Sequence, residues 1–450
     1  MSLPKYESYK DSGVEWLGEV PSHWSTAGLR WLAVRYSGGT PDKGNPSYWS
    51  DGDIPWLNSG SVNQPLISKP SAYITEEAFS NSSAKWIPEG ALLMALAGQG
   101  KTKATVAQLG FRSTCNQSMA AIVPGNKITA RFLYWWLTSN YENIRNLSGG
   151  DLRDGLNLEL LGSIPCPITE IREQTAIVAF LDRETAKIDA LVEEQKRLIE
   201  LLKEKRQAVI SHAVTKGLDP NAMMKESGVE WLGEVPAHWN VRSFLSAFDV
   251  VYRYPTYFDI QYEDAGIIEI RGEAIGSNGE IITLNDQRYI SKETSDRFPM
   301  TQMEEGDLVM SVRGTLGKVA KITKSYIGSN ITANLLRLSP NRILFDSDFV
   351  RYTVNSLEFT EQLSMFSSQT TIRTVTIPQL NQIRIACPPL EEQAAIAEKL
   401  GRRIAKLDAL SVEAQTLVQF LRQRRSALIS SAVTGKIDVR GMSTIEVEAV

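Results

Sequence analysis

Two stretches of the sequence carry several cationic side chains and no acidic one. One runs from Gln99 to Arg112 and the other from Arg313 to Arg337. Lysine and arginine neutralise nucleic-acid phosphates, and arginine also pairs with guanine in the major groove. Small amides accompany both stretches, and asparagine or glutamine can hold adenine through two hydrogen bonds. These residue types predict local contacts to a nucleic acid.

Two other pairs of positions extend this prediction. Arg153 and Arg373 lie in matching segments rich in Gly, Ser or Thr. The segment Trp56–Gly60, which includes Asn58, has its counterpart around Arg271, whereas Trp56 itself is expected in the core. The alternative is a strand-rich surface whose lysines are simply solvated. The candidate DNA-binding residues are Asn58, Lys101, Lys103, Arg112, Asn116, Gln117, Arg153, Arg271, Arg313, Lys318, Lys321, Asn330, Asn334 and Arg373.

Two segments imitate catalytic motifs without completing them. Ala97–Thr102 ends in Gly-Lys-Thr like a phosphate-binding loop, but Ala95 stands where that loop needs its first glycine. Asn45–Tyr48 resembles the tetrapeptide of adenine methyltransferases, yet its third residue is Ser47 and the segment is not repeated. We therefore predict no catalytic residues and a chain that is not itself an enzyme.

The amino-acid composition excludes several classes of protein. A net charge of -4 argues against a protein that grips polyanions over its whole surface, so any such contact is local. Three cysteines cannot build a disulfide framework, and none has metal-ligand spacing, which predicts no metal site. No apolar run approaches the length of a membrane span, and Met1–Lys10 has no signal-peptide pattern, so we expect a cytoplasmic protein and no membrane partner.

A tandem repeat organises the whole chain. Ser12–Trp24 reads SGVEWLGEVPSHW, and Ser227–Trp239 differs from it at one position; we call each copy the SGVEW motif. Later pairs keep the same order: Cys-Pro, then Glu-Gln with a following isoleucine, then Asp-Ala-Leu, then Ala-Val-Thr. Each half therefore runs from an SGVEW motif through a globular module into a long helix.

The modules mix short apolar runs with Gly, Pro, Asn and Ser turns, which predicts mixed α/β (α+β) domains. Strands are expected at Leu92–Ala97, Leu308–Val312, Ile267–Ile270 and Ile281–Leu284. Helices are expected at Phe132–Thr138 and Phe349–Leu357. The predicted domains are 1–168 for the first SGVEW motif and its module, 169–215 for the first long helix, 216–388 and 389–434 for their repeats, and 435–450 for a tail.

Within the long segments, Arg172–Ala213 and Glu391–Ala432 lack proline, and their apolar residues recur at steps of three and four, as in a heptad repeat. The simplest partner for each is the other, in an antiparallel coiled coil with Glu184 near Arg424. The alternative is that each packs on its own module or on another subunit. The predicted seam is Ile177, Leu181, Ile188, Leu191, Leu198, Leu202, Val209, Ile396, Leu400, Leu407, Leu410, Leu417, Leu421 and Leu428.

The SGVEW motifs, the Cys-Pro and Glu-Gln helix entries and the Ala-Val-Thr exits resemble the specificity subunit of type I restriction-modification systems. The resemblance spans nearly the whole chain. It implies two target-recognition domains that each read half of a split sequence in double-stranded DNA, and paired helices that set the gap. It also implies two modification subunits with S-adenosylmethionine for adenine methylation, and restriction subunits with ATP and Mg, while this chain binds no cofactor.

Two other readings remain open on the residues. The chain could be a free-standing bivalent nucleic-acid binder without a methyltransferase partner, or an enzyme with a site assembled from distant residues. Charge reversals on the outer helix faces that release a co-purified methyltransferase would favour the specificity subunit over the free-standing binder. Binding of S-adenosylmethionine or a nucleotide by the isolated chain would favour the enzyme.

Overall fold

The computed structural model describes residues 3–98, 100, 102–147, 155–253, 260, 262–276, 278–367 and 373–442. The chain divides into two compact units. The first holds the described residues of Met1–Glu194 and Leu417–Val450, and the second those of Gln195–Thr416. Each unit contains both sheets and helices, which confirms the mixed α/β prediction.

The first unit begins with a hairpin around the SGVEW motif and continues into two small sheets with short helices. Its strands are β1 (Tyr9–Asp11), β2 (Glu19–Pro21), β3 (Ser25–Gly28), β4 (Ala33–Ser37), β5 (Ile54–Leu57), β6 (Leu66–Ile67), β7 (Ala72–Ile74), β8 (Leu92–Ala95), β9 (Val106–Leu109), β10 (Thr114–Cys115), β11 (Met119–Pro124) and β12 (Pro165–Ile168). Its short helices are α1 (Glu76–Ser80), α2 (Ala130–Ser139), α3 (Tyr141–Asn146) and α4 (Leu158–Ser163). The sheet orders are β4-β11-β8-β9-β6 and β10-β5-β7, and β12 pairs with β3.

A long helix, α5 (Ile171–Lys216), follows and leads into the second unit. The strands there are β13 (Met224–Glu226), β14 (Glu234–Pro236), β15 (Asn240–Ser243), β16 (Phe248–Arg253), β17 (Tyr262–Glu263), β18 (Ile267–Ile270), β19 (Arg288–Ile290), β20 (Leu308–Ser311), β21 (Val319–Lys321), β22 (Asn330–Ile331), β23 (Leu335–Pro340) and β24 (Arg384–Cys387). The helices are α6 (Lys292–Arg297), α7 (Ser347–Val354), α8 (Leu357–Phe366), α9 (Ile377–Leu380) and the long α10 (Leu390–Val433), which belongs to the first unit from Leu417 onward. The sheet orders are β16-β23-β20-β21 and β17-β19-β18-β22.

The central strands β8 and β20 are apolar at nearly every position because the sheet around each of them is covered on both faces. In β8, Leu92 and Met94 pack into one core cluster, while Leu93 and Ala95 pack into another. The equivalent strand β20 divides in the same way between its two clusters. The prediction of a strand at Ile281–Leu284 is wrong: Ile281 makes only an isolated bridge to Ile275, and Ile282 is exposed. The segment is a surface turn that packs Ile281 and Leu284 against the core.

The two long helices, α5 and α10, pack against each other antiparallel. Within the first unit Arg425 Nη2 donates to Asp189 Oδ2 at 3.1 Å, and within the second Arg206 Nε donates to Asp408 Oδ1 at 3.2 Å. Asp189 precedes Arg206 on α5 by as many residues as Arg425 follows Asp408 on α10. The two helices therefore run in opposite directions. Glu184 pairs with Arg183 and Lys187 on its own helix, and no ion pair with Arg424 is present among the described residues.

The buried residues of the seam between the two long helices recur with a different period from the predicted heptad. Four isoleucines of α5, Ile177, Ile188, Ile199 and Ile210, recur every 11 residues and are all buried. On α10, Ile396, Val418 and Ile429 are buried and Leu407 partly so, on the same spacing. Four predicted seam residues are instead largely exposed: Leu191, Leu198, Leu410 and Leu417. On a straight helix, positions that repeat every seven residues rotate by about 20° per repeat and leave the contact face. The neighbouring residues Val192, Ile199 and Val418 are buried in their place.

The Glu-Gln pair that opens each long helix ties the SGVEW motif and the module to it. In the first unit the buried Glu173 accepts hydrogen bonds from Tyr6 Oη at 2.7 Å, Trp24 Nε1 at 3.1 Å and the Thr169 hydroxyl, and lies 2.9 Å from His23 Nε2. In the second unit Glu392 lies 2.8 Å from His238 Nε2 and accepts from Trp239 Nε1 at 3.0 Å. The SGVEW motifs are therefore structural anchors.

The glutamine of each pair anchors the module. Gln174 Oε1 accepts from the backbone of Thr129, the N-cap of α2. Gln393 Oε1 accepts from the backbone of Asp346, the N-cap of α7. The repeated Glu-Gln dipeptide thus fixes two different elements to the first turn of each long helix.

We expect Glu173→Gln to lower the free energy of unfolding by about 1.5–3 kcal/mol at pH 7, since hydrogen bonds to a charged acceptor are lost. Burial opposes ionisation of Glu173, but hydrogen bonds from Thr169, Tyr6, His23 and Trp24 outweigh it and hold the pKa below its ordinary 4.5. A depressed pKa stabilises the folded state above pH 4.5 and loses that effect as the pH falls.

Chemical unfolding at several pH values tests this expectation. The difference between Glu173→Gln and the native chain should shrink once the pH falls below 4.5. The exposed Glu170→Gln is the matched control and should unfold like the native chain at every pH. A difference that grows in acid would contradict the assignment.

Candidate nucleic-acid interface

A polar cleft of about 470 Å³ lies in the second unit. Four predicted contact residues, Arg271, Arg313, Lys318 and Asn334, line it together. The other lining residues are Gly272, Glu273, Arg288, Ser311, Gly314, Thr315, Thr332 and Leu335. The structure thus brings together side chains that are far apart in the sequence, and it adds Arg288 and Glu273 to them.

Three strand ends and one turn supply the cleft. Arg271 follows β18, Arg288 opens β19, and Thr332 and Asn334 follow β22. The turn between β20 and β21 carries Arg313 and Lys318. Two glycines in that turn, Gly314 and Gly317, have φ values of +82° and +78°, a conformation that other residues rarely adopt. The turn therefore depends on glycine to present its two exposed cations.

Hydrogen bonds hold this turn closed and attach it to a neighbouring segment. Gly314 N donates to Arg373 O at 2.9 Å, and within the turn the side-chain Oγ of Ser311 donates to Thr315 O at 2.5 Å. The predicted contact residue Arg373 is exposed beside the turn. It therefore adds a third cation to the same side of the unit.

A buried carboxylate, that of Glu269, lies on β18 two residues before Arg271 and pairs across the sheet with Arg288. Glu269 is 2% exposed, and burial raises its pKa although a hydrogen bond from Tyr262 and the charges of Arg288 and Arg271 act in the opposite direction. Arg271 Nη2 pairs with Asp286 Oδ1 at 2.7 Å, which raises the pKa of Arg271 and lowers that of Asp286. The Arg288 guanidinium lies 5.1 Å from the Tyr262 ring centre.

Two other predicted residues of this unit lie elsewhere. Lys321 Nζ is paired with Asp348 at 2.6 Å. Asn330 is 1% exposed, donates to Thr301 Oγ1 and accepts from Ser295 Oγ, both at 2.7 Å. Burial and satisfied hydrogen bonds leave Asn330 no access to a surface ligand, so it supports the sheet beneath the cleft.

The predicted neutral residues of the first unit accept hydrogen bonds from their own module. Asn58 accepts from Gly60 N, Asn116 accepts from Ser118 N, and Gln117 accepts from the Thr40 hydroxyl. Asn58 and Gln117 are exposed.

The cations of the first unit are more dispersed. Lys103 is 3% exposed, and its carbonyl accepts from Arg145. The Arg112 guanidinium stacks 4.0 Å from the centre of the Trp86 ring and keeps an exposed side chain. Lys101 and Arg153 lie outside the described residues.

Sequence reasoning missed Arg288 as a candidate contact. A signal was available, because the Tyr-Ile pair of β19 repeats that of β7 while the preceding residue is Arg288 in one copy and Ala72 in the other. A charged residue that interrupts a matched repeat marks a place where the two modules differ.

The described residues contain neither a membrane span nor a metal-binding cluster. No helix among them is both long enough and apolar enough to cross a membrane. Their His, Cys, Asp and Glu side chains form no group of three or more that could hold a metal ion.

Comparisons with known proteins agree with the duplicated architecture. The model of the "Type I restriction modification DNA specificity domain" matches twice, at residues 32–201 and 253–415. The EcoR124I/EcoR124II specificity subunit of Escherichia coli is 30% identical over 43% of this chain, and the match spans 46% of that protein. The StySPI specificity subunit of Salmonella potsdam is 22% identical over 93% of this chain and 90% of its own length.

Solved structures share the fold at low sequence identity. A chain from a study of complex assembly and conformational transition of the type I R-M system has a TM-score of 0.72 and 17% identity, covering 92% of this chain and 98% of that one. The HsdS subunit from Thermoanaerobacter tengcongensis has a TM-score of 0.56 and 17% identity, covering 93% and 98%. With two matches of the family model across most of its length, this chain belongs to the family of type I restriction-modification DNA specificity domains.

Proposed function

We propose that this chain is the sequence-specific DNA-binding subunit of a type I restriction-modification complex. It recognises a split target in double-stranded DNA, one half with each unit, and directs the modification and restriction subunits to it. The duplicated specificity domain carries this proposal, because two copies of one reading module match two half-sites. The chain supplies the target choice and no bond chemistry.

The cofactors and partners follow from this role. Two modification subunits would bring S-adenosylmethionine for adenine methylation, and restriction subunits would bring ATP and Mg. The complex would act in the cytoplasm, on the cell's own DNA and on entering DNA. The relatives named above as specificity subunits support this assignment.

The decisive test is a map of methylated adenines. The chain is co-expressed with the modification subunit encoded beside it, in a host without other adenine methyltransferases, and long-read sequencing locates the modified bases. A split motif with a fixed gap is expected. A methyltransferase that modifies a continuous motif, or the same motif without this chain, would overturn the proposal.

Within the second unit, we assign phosphate contacts to Arg313 and Lys318, the exposed cations of the glycine-dependent turn. Arg313→Ala should weaken binding about equally for all sequences and reduce the slope of log affinity against log salt by about one. Arg297→Ala, an exposed arginine outside the cleft, is the matched control and should leave the slope unchanged. Fluorescence anisotropy of the assembled complex at several salt concentrations measures both variants. An unchanged slope in Arg313→Ala would remove it from the interface.

A further inference from the structure

Strand register aligns the small sheets of the two units residue by residue. In the first unit Trp56 pairs with Ala72 across β5 and β7, and with Thr114 of β10. In the second unit Glu269 pairs with Arg288 across β18 and β19, and with Asn330 of β22. Trp56 and Ala72 therefore occupy the places of Glu269 and Arg288. Two residues further along, Asn58 takes the place of Arg271.

The residues at these three positions differ between the two units in a coordinated way. In the first unit the buried Trp56 donates its Nε1 proton to Gly39 O at 3.0 Å, and Asn58 caps its own turn. In the second unit the same places hold one carboxylate and two guanidinium groups. A buried carboxylate is costly unless opposite charges lie beside it. The carboxylate and the arginines thus depend on one another, while the first unit needs none of them.

The arrangement restricts the Arg288 guanidinium. It lies over the Tyr262 ring, Glu269 is its partner on the neighbouring strand, and the side chain is exposed in the cleft. Among the residues that the structure describes, Glu269 Oε2 has no hydrogen-bond donor. A planar guanidinium held in this way is suited to a ligand with two acceptors in one plane.

The surrounding charges favour a base edge over a phosphate. Glu273 lines the cleft and Glu269 pairs with Arg288 across the sheet, so their carboxylates would repel a phosphate placed on Arg288. The neutral edge of guanine offers two acceptors, O6 and N7, that match an arginine fork. Phosphates are better served by Arg313 and Lys318 on the exposed turn.

We propose that Arg288 reads a guanine in the half-site bound by the second unit, with Glu269 as the positioning residue that orients its guanidinium. This inference rests on the proposed function. It requires an invariant G·C pair in one half-site, recognised through a contact that the first unit lacks because Ala72 stands at the equivalent position.

The test compares methylation by complexes carrying Arg288→Ala, Arg288→Lys, Glu269→Gln and, as control, Arg297→Ala. For each complex, methylation is measured at genomic sites that depart from the motif by one base pair. At one G·C pair, Arg288→Ala and Arg288→Lys should distinguish the correct base pair from a wrong one about 5- to 150-fold less well than the native complex. At every other position their discrimination should be unchanged. Glu269→Gln should lose part of the discrimination at that same pair, and Arg297→Ala none.

A base analogue separates reading from structural support. Purified complex is titrated with a duplex in which that guanine is replaced by 7-deazaguanine, which lacks the N7 acceptor. The native complex should bind the analogue more weakly than guanine, whereas the Arg288→Lys complex should not distinguish the two. Because Arg288→Lys keeps the charge, it remains informative if Arg288→Ala fails to fold.

Three outcomes would overturn the inference while the proposed function stands. The first is a split motif without an invariant G·C pair in either half. The second is that the Arg288 variants lose discrimination at an A·T pair, and the third is that they lose it over the whole half-site. Discrimination that Arg288→Lys leaves unchanged would also overturn it. Absence of any split motif would instead count against the proposed function itself.

Discussion

Duplicating Ile188–Val209 in α5 together with Leu407–Leu428 in α10 is expected to move methylation to sites whose gap is about ten base pairs longer. Each duplication adds two 11-residue repeats, so the buried positions stay in phase along both helices. At about 1.5 Å per residue the insertion lengthens each helix by about 33 Å, close to one turn of DNA. Both half-sites would then keep their base sequence and face the same side of the duplex.

The control is the duplication made in α5 alone. It destroys the antiparallel register that joins Asp189 to Arg425 and Arg206 to Asp408, and we expect it to abolish site-specific methylation. Sequencing of methylated adenines gives the gap in each case. If the double duplication methylates the original sites with the original gap, the helices do not set the spacing.

Trp24→Ala is expected to lower the free energy of unfolding by about 3–5 kcal/mol, as for other fully buried aromatic residues. Trp24 is 0% exposed, packs edge-on against Tyr6 and Phe132, and donates a hydrogen bond to Glu173. The truncation leaves a cavity and also removes one donor from a buried carboxylate. Urea unfolding of the full-length chain measures the loss.

Trp31→Ala is the matched control, because Trp31 is 77% exposed and its removal should change stability by less than about 0.5 kcal/mol. Trp239→Ala tests whether the second SGVEW motif has the same anchoring role, since Trp239 is also fully buried and donates a hydrogen bond to Glu392. Limited proteolysis should show the first unit opening in Trp24→Ala and the second in Trp239→Ala. Equal losses for Trp24→Ala and Trp31→Ala would refute the anchoring role of the SGVEW motif.

These anchors explain why the SGVEW motifs vary less between the two copies than the modules do. Each SGVEW motif contacts the first turn of a long helix through a Glu, and that turn contacts the module through the next residue, a Gln. A change in an SGVEW motif would therefore loosen the helix and the module together. The strands and turns around the cleft carry no such joint constraint, so Arg288 can replace Ala72 without disturbing the frame.

Much of the fold could be predicted from local patterns. The near-identical SGVEW motifs indicated a duplication, and the proline-free segments indicated the two long helices close to their observed bounds. The strands at Leu92 and Leu308 followed from their apolar runs. These features depend on neighbours in the chain, which a single sequence contains.

The candidate site was predicted only in part. Arg271, Arg313, Lys318 and Asn334 were selected by residue type and do line one cleft. Asn330 was selected for the same reason and lies in the core, because strand β22 turns that side chain inward. Composition cannot separate these cases, since the direction of a side chain depends on the strand register.

The sequence by itself determined that one module is present twice, that each copy ends in a long helix, and that the SGVEW motif and the Glu-Gln pair recur in fixed order. Only the tertiary structure decided which helix positions are buried, because an 11-residue and a 7-residue repeat diverge over a long helix and the facing helix selects between them. It also decided which cations meet at one cleft. Strand pairing places Glu269 beside Arg288, and residues so distant in the chain leave no local pattern of their proximity.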